Sequence, residues 1–361
     1  MKFWYIMSTP VLSRRWLQGP QPRVVGGNRW WWVRPALYHA GVRLLISPLL
    51  VLAIMGFVVY STTHPPRSQI NVEPGQVNLY HEAVHFSSDD GICLKGWYIP
   101  ALTAEDVVTQ GTEAVTTKRP AVVLAHGYGG NCSQWLPFAS VLHRAGYELL
   151  LFDFRGSGTS SGRNSTFGLR ESQDVIAAVR FISGLPSVDS KRIAVMGTST
   201  GGVAATQAAL STPLIKLVIA ESAYPDLSSA ITRQFSMGHW PFSWLAVAYK
   251  WTFEMGYRAD ADAVRMDDTL RSRKDLALLL VNGDQDQLAP WDDLAELVRV
   301  APERTKRVII PGAGHSACYA AAPELFETVI LSFLAQHLSD GRGSGDQTDF
   351  ATRTDHSTAS Y

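Results

Sequence analysis

RIAVMGTSTGG, residues 192–202, is the stretch on which the fold turns. Its first five residues form an apolar run of strand length, and VAATQAAL follows at 203–210 with the composition of a helix. Between them Gly197-Thr198-Ser199-Thr200-Gly201 matches G-x-S-x-G, with Gly202 added. A strand that turns sharply into a helix needs glycines where side chains would clash, and such a turn lifts its central serine into the open. The same five residues in isolation would read equally well as an ordinary Gly/Ser turn. The strand before and the helix after separate the two readings.

Outward from this turn the pattern repeats. AVVLA (121–125), ELLLFD (148–153), KLVIAE (216–221), ALLLVNG (277–283) and RVIIPG (307–312) are short apolar runs. Amphipathic segments lie between them, as in Glu171 to Ile182, where Val175, Ile176, Val179 and Ile182 share one helical face. Strands that are apolar throughout suit a parallel sheet covered on both sides, and the alternation predicts an α/β fold. VNLYHEAVHF (77–86) and ICLKGWYIPA (92–101) are β-rich and flank Ser87-Ser88-Asp89-Asp90-Gly91, which predicts a hairpin. The polar stretch from Thr103 to Arg119 is expected to be a loop.

Chemistry collects at the ends of these strands. After AVVLA comes His126-Gly127-Tyr128-Gly129-Gly130, a glycine-rich loop able to aim backbone N–H groups at an oxyanion. After ALLLV come Asp284 and Asp286, ahead of Pro290, and after RVIIP comes Gly312-Ala313-Gly314-His315-Ser316. A serine hydroxyl is a poor nucleophile until a neighbouring base takes its proton, and His315 suits that role. A carboxylate would hold the imidazole tautomer and stabilise the imidazolium. Asp286, Asp284 and Glu221 all compete for that place. His126 and Arg155 are read as residues that shape loops by hydrogen bonding.

Taken together, HGYGGN (126–131), DFRGSGTSSG (153–162), GTSTGG (197–202), GDQDQLAP (283–290) and GAGHS (312–316) resemble the landmarks of the α/β-hydrolase superfamily from about Tyr80 to Leu338. The body looks most like the membrane-anchored hydrolases of the BEM46-like and serine aminopeptidase-like group. The resemblance implies a mostly parallel central sheet with helices on both faces and a helical cap. It implies Ser199 as nucleophile, His315 as base and Asp286 as triad acid, because the family's acid stands four residues before the proline. It implies the backbone N–H groups of Tyr128 and Thr200 as oxyanion donors; the family often has Met at the Thr200 position, a departure a main-chain donor tolerates. Epoxide hydrolases and dehalogenases of the superfamily carry Asp where Ser199 stands.

His81-Glu82-Ala83-Val84-His85 matches the zinc signature H-E-x-x-H. That chemistry needs a helix, and this run alternates like a strand, where residues four apart are about 13 Å distant. No metal and no cofactor are expected. Cys93, Cys132 and Cys318 are too few for a disulfide framework and are read as buried thiols.

The formal net charge is zero, but the charges are segregated. Eight basic residues precede the first acid, Glu73, which leaves 24 basic against 32 acidic residues in the rest, a net of minus eight. Leu44 to Tyr60 is an uncharged run of seventeen residues, about 25 Å as a helix, and reads as a transmembrane signal anchor. With seven basic residues and no acid ahead of it, the positive-inside rule puts the N-terminus in the cytoplasm and the body outside. The expected organisation is a basic, Trp-rich arm (1–43), the anchor (44–60), a linker (61–75), the hydrolase domain (76–340) and a disordered tail (341–361).

Within the domain, 222–274 is expected to be a cap dense in aromatic and methionine side chains, among them Phe235, Trp240, Phe242, Trp244, Tyr249, Trp251, Phe253 and Met255. The expected activity is ester hydrolysis through an acyl-enzyme, on a small-molecule or lipid-like acyl substrate. A serine peptidase on the same triad and an inactive hydrolase-fold binding protein are the alternatives. The membrane is an expected partner through the N-terminal helix, and nucleic acid is not.

Overall fold

The apolar runs assemble into one eight-stranded sheet in the computed structural model, which describes residues 33–102, 104–238, 244–300 and 303–338. Its strands are β1 (Glu82–Ser87), β2 (Cys93–Ile99), β3 (Arg119–Ala125), β4 (Glu148–Phe152), β5 (Val188–Thr198), β6 (Ile215–Glu221), β7 (Ala277–Gly283) and β8 (Thr305–Ile310). The spatial order is β1-β2-β4-β3-β5-β6-β7-β8. β2 runs antiparallel to both β1 and β4, and from β4 onward every neighbouring pair is parallel. This is the mostly parallel α/β sheet that the strand pattern predicts.

The helices are α1 (Val33–Thr63), α2 (Ala104–Gln110), α3 (Thr112–Thr116), α4 (Leu136–Arg144), α5 (Glu171–Ser183) and α6 (Thr200–Ser211). After β6 come α7 (Leu227–Met237), α8 (Trp244–Tyr257) and α9 (Met266–Ser272), then α10 (Ala295–Val300), α11 (Cys318–Ala321) and α12 (Pro323–Leu338). On one face of the sheet Leu124, Leu151, Met196, Ile219 and Leu279 pack with Phe138 and Leu142 of α4 and Phe326 and Ile330 of α12. Alternate residues Val123, Leu150, Val195, Val218 and Leu280 are equally buried, with α5 and α6 against β5 and β6. A strand buried on both faces has no use for polar alternation, which is why these runs are apolar throughout.

Three local expectations change. Thr103 to Arg119 is not a loop but holds α2 and α3, separated by Gly111 at φ +61°. Of AEDVVTQ only Ala, Glu and Gln are good helix formers, so local propensity gives little sign of α2, and a solvated helix is polar enough to pass for a loop. The first hairpin strand starts only at Glu82, because Pro74–Val77 winds into a 3-10 turn that Asn78 ends at φ +59°. Residues 61–75 are also no loose tether. Arg67 donates to the carbonyls of Ser157, Gly158, Ser160 and Gly162, and Asn131 donates to Ser68 and Gln69.

The chain divides into two compact units, Met1–Ala53 and Ile54–Tyr361. The described part of the first is the start of α1. Leu37–Thr63, 27 residues within α1, is long and apolar enough to cross a membrane. The tryptophans of the expected arm up to Trp32, the expected tail, and Trp240 and Phe242 of the cap lie outside the described residues.

Candidate active site

The elbow between β5 and α6 forces its own composition. Ser199 sits at φ 51°, ψ −120°, a region non-glycine residues seldom occupy and one that is kept only when the surroundings over-determine it. The surroundings do so. A Cβ on Gly197 would lie 2.4 Å from the Gly201 carbonyl carbon, and one on Gly201 would lie 2.5 Å from the carbonyl oxygens of Ala125 and His126. The end of β3 therefore presses directly on the turn. Ser199 N–H donates to the Glu221 carbonyl at 2.7 Å, fixing the elbow to β6 as well.

Three side chains from three strand ends meet here. His315 Nε2 is 2.9 Å from Ser199 Oγ, and His315 Nδ1 is 2.9 Å from Asp286 Oδ2 and 3.0 Å from Oδ1. Asp286 Oδ1 also accepts the N–H groups of Leu288 (3.0 Å) and Ala289 (2.8 Å). Burial by itself would raise the Asp286 carboxyl, but the hydrogen bonds from His315 and Ala289 outweigh it and hold the group below its ordinary value. An ionised carboxylate on Nδ1 leaves Nε2 free to accept the serine proton. The Asp286 side chain is fully buried, whereas that of His315 is 27 % exposed, so the relay opens toward solvent at the histidine.

The rival acids are placed elsewhere. Asp284 is exposed and accepts the Gly312 N–H at 2.7 Å, tying the β7 loop to the β8 turn. Glu221 lies beneath the elbow and accepts Cys318 N–H at 3.0 Å; burial pushes its carboxyl up. Six residues separate the end of β7 from Pro290, and of the two aspartates among them only Asp286 reaches the imidazole.

The glycine-rich loop after β3 adjoins Ser199: a Cβ on Gly127 would lie 3.7 Å from Ser199 Cβ. Gln134 Oε1 takes the Gly127 N–H at 2.9 Å, so Tyr128 carries the next donor along the loop. Thr200 is the first residue of α6, one of the positions whose N–H has no carbonyl within the helix, at the positive end of its dipole. His126 is buried beneath the loop. Phe154 N–H donates to its Nε2 (3.1 Å), so Nδ1 bears the proton and donates to Gly127 O (2.7 Å). Burial also lowers its pKa, keeping it neutral. Arg155 reaches Asp174 and Asp90; burial opposes its charge, but the two carboxylates hold the guanidinium above its ordinary value. Both residues shape loops without touching the Ser199–His315–Asp286 set.

A feature with no sequence signal surrounds Tyr128. Its hydroxyl donates to the Thr62 carbonyl at 2.6 Å, at the last turn of α1. Tyr249 Oη lies 2.7 Å from Thr62 Oγ1, and Tyr257 Oη donates to Thr63 Oγ1 at 2.5 Å. Three tyrosines, one on the glycine-rich loop after β3 and two on α8, thus grip one helical turn whose carbonyls have no intrahelical partner. The Tyr128 and Phe167 rings stand 5.5 Å apart, and Phe167 and Phe253 6.0 Å, continuing the contact into the cap. The expected aromatic cap is divided by this geometry. Leu245, Tyr249 and Phe253 are buried, whereas Trp251 and Met255 are exposed on the other side of α8.

His85 of the zinc-like run lies on β1 opposite Lys95, and His81 packs edge-on against Trp97. Among the described residues, the side chains close enough to share a metal are Glu254, Asp260 and Asp262, where Lys250 pairs with Asp262. Cys132 and Cys318 are buried and their thiols are pushed up by that burial; Cys93 is half-buried.

The sequence model of the alpha/beta hydrolase family matches residues 122–329. The uncharacterized protein YfhR of Salmonella typhimurium is 26% identical over 305 residues, covering 82% of this chain and 97% of that protein. Among solved structures, the Pyrococcus furiosus esterase Pf2001 superposes with a TM-score of 0.62 at 23% identity, covering 77% of this chain and 99% of the esterase. The Pyrococcus horikoshii acylaminoacyl peptidase superposes with a TM-score of 0.53 at 20% identity, covering 74% of this chain and 43% of the peptidase. At such identities the likeness is one of fold, and that fold has both esterase and peptidase neighbours.

Proposed function

The chain belongs to the alpha/beta hydrolase family, and from that premise we propose that it is a serine hydrolase that cleaves an ester through an acyl-enzyme. The observation that carries this reading is the unbroken hydrogen-bonded line from Ser199 through His315 to Asp286. In the first step Ser199 Oγ attacks the ester carbonyl carbon while its proton passes to His315 Nε2. The oxyanion is received by the N–H groups of Tyr128 and Thr200. The C–O bond then breaks, His315 returns the proton to the departing alcohol, and the acyl group stays on Ser199. Water repeats the sequence and releases the acid.

An ester is favoured over a peptide because a peptidase that trims amino termini must hold a cationic amine. The acidic cluster best suited to that, Glu254, Asp260 and Asp262, is already met by Lys250. The substrate is a small-molecule or lipid-like acyl ester. α1 is a signal anchor with its N-terminus in the cytoplasm and the catalytic unit outside, an orientation supported by the basic residues ahead of the span.

The test is labelling of the full chain with a fluorophosphonate probe, followed by ester and peptide substrate panels. Labelling that disappears in Ser199→Ala is the expected result. Absence of labelling in the native protein would instead favour the inactive binding protein. A panel cleaving amides faster than matched esters would favour the peptidase.

A further inference from the structure

Two adjacent residues where β6 ends, Glu221 and Ser222, bond to all three of the strands or turns that carry Ser199, Asp286 and His315. The Glu221 carbonyl accepts the Ser199 N–H at 2.7 Å, and the Ser222 N–H donates to the Val281 carbonyl of β7 at 2.9 Å. Both side chains meet the turn after β8. Ser222 Oγ accepts the Ser316 N–H at 3.0 Å, and Glu221 Oε1 accepts the Cys318 N–H at 3.0 Å. Thr198 Oγ1 of β5 adds a bond to Ser316 Oγ at 3.0 Å. In the sheet β7 lies between β6 and β8. The main chain that follows His315 has therefore crossed β7 to be held at the ends of β5 and β6.

Ser222 is fully buried and stands at φ +49°, where glycine would sit without cost. A non-glycine residue persists there only when its surroundings hold it, and such residues gather at functional sites. What serine adds over glycine at this position is a hydroxyl, and both of its capacities are used. A lone pair takes the Ser316 N–H, which leaves the proton for the Asp286 carboxylate, the other group that the hydroxyl meets. Burial raises that carboxyl, and the hydrogen bonds from His315, Ala289 and Ser222 together outweigh it. One hydroxyl thus touches the acid and the backbone one residue beyond the imidazole.

We propose that Ser222 is a positioning residue of the hydrolase site: its hydroxyl fixes the His315 turn against Asp286 and so keeps the imidazole in line between Asp286 and Ser199. This role rests on reading Ser199, His315 and Asp286 as the reacting set. Ser222 neither meets the substrate nor exchanges a proton with it. Its effect runs through His315, whose Nε2 must stay within reach of Ser199 Oγ, 2.9 Å away, for the proton to pass. A small misplacement of such a group slows the reaction without weakening substrate binding. The loss therefore falls on kcat and spares KM.

The test compares Ser222→Gly and Ser222→Ala with the native full chain in detergent, on a short-chain nitrophenyl ester. Both variants lack the hydroxyl, and glycine also adopts φ +49° without strain. A fall in kcat of about tenfold is expected in both, with KM unchanged within about twofold and a cooperative thermal melt retained. Ser222→Gly decides alone if the alanine variant does not fold. A kcat like that of the native chain overturns the proposal, and so does a change confined to KM. A loss in Ser222→Ala that Ser222→Gly does not share would place the effect in the backbone and overturn it too. Failure of Ser222→Gly to fold would make the hydroxyl a stability element instead.

Damage to the elbow would lower kcat as well, and a double-mutant cycle separates the two. In a His315→Ala background the residual hydrolysis depends on the backbone donors and on binding. There Ser222→Gly should change the rate by less than about twofold, since the group it positions is gone. A larger further fall would assign Ser222 to the elbow and overturn the proposal. A native chain that hydrolyses no ester and takes no fluorophosphonate label ends the hydrolase reading and this role with it. An active native chain with an undiminished Ser222→Gly variant ends the role alone.

Discussion

Asp286→Asn offers the most searching test of the relay, because the structure dictates how the amide must sit. Oδ1 of Asp286 accepts two main-chain N–H groups, from Leu288 and Ala289. In the asparagine variant only the carbonyl oxygen can accept them, so the NH2 group takes the place of Oδ2, the atom 2.9 Å from His315 Nδ1. The NH2 group then competes for Nδ1 with the carbonyl oxygen, which stands 3.0 Å away but already holds two main-chain N–H groups; where the NH2 group wins, Nδ1 presents a lone pair and the imidazole proton moves to Nε2. Nε2 then donates toward Ser199 Oγ, where it should accept. The geometry survives and the base is lost. In serine proteases such a tautomer reversal lowers kcat by about 10⁴-fold, or about 5.5 kcal/mol of transition-state stabilisation. The assay is steady-state hydrolysis of a short-chain nitrophenyl ester by the full chain in detergent, with circular dichroism melting to confirm folding. Asp284→Asn is the matched control, and its kcat should change less than threefold. A loss below tenfold in a folded Asp286→Asn protein would refute this account of how His315 is held.

Gly201→Ala pushes a methyl group against two carbonyl oxygens of the backbone after β3, which cannot yield as a side chain could. About 1–3 kcal/mol of destabilisation is expected, and a thermal melt unchanged from native would count against the packing described for the elbow. Arg155→Ala leaves the buried Asp174 without its ion partner and should cost about 3–5 kcal/mol, measurable by urea unfolding. Tyr128→Phe keeps the oxyanion N–H but removes the bond to Thr62, worth about 1 kcal/mol. A roughly fivefold fall in kcat with little change in KM is expected, and a change confined to KM would place Tyr128 in substrate binding instead. The Asp286 carboxyl is held below its unfolded value of about 3.9. Its contribution to stability is therefore present above that pH and lost as pH falls through the depressed folded value. Urea unfolding of Asp286→Asn should accordingly show a weaker loss of stability between pH 5 and pH 3 than the native protein.

Much of the fold was legible because its signals are local. A parallel strand buried on both faces must be apolar throughout, so AVVLA, KLVIA and ALLLV announce themselves without knowledge of their neighbours. The elbow glycines were legible for a similar reason, since a tight strand-to-helix turn leaves no room for a Cβ. Where the local signal is weak the expectation failed. α2 and α3 have a polar composition that a loop shares, and the start of β1 depended on a left-handed Asn78 that periodicity does not register. The linker composition of 61–75 carried no trace of Arg67's four carbonyl partners, which lie about 90 residues away.

Segregated charge, an uncharged run near the N-terminus, apolar strands and a serine between glycines are properties of the chain itself, and with them came the fold class and three candidate side chains. The resemblance to the hydrolases already pointed to Asp286 over Asp284, but the physical ground for that choice belonged to the tertiary structure. Two carboxylates two residues apart are equivalent in composition, and only the path of the loop after β7 aims one of them at an imidazole. The grip of three tyrosines on the end of α1 is of the same kind. It joins residues 66, 187 and 194 positions apart, and hydrogen bonds across such separations leave no mark on local sequence. The outward stripe of α8 likewise became visible only once its opposite side was seen to be buried. Helical spacing puts residues on a common face, but the packing of the whole body decides which face meets the core and which stays exposed.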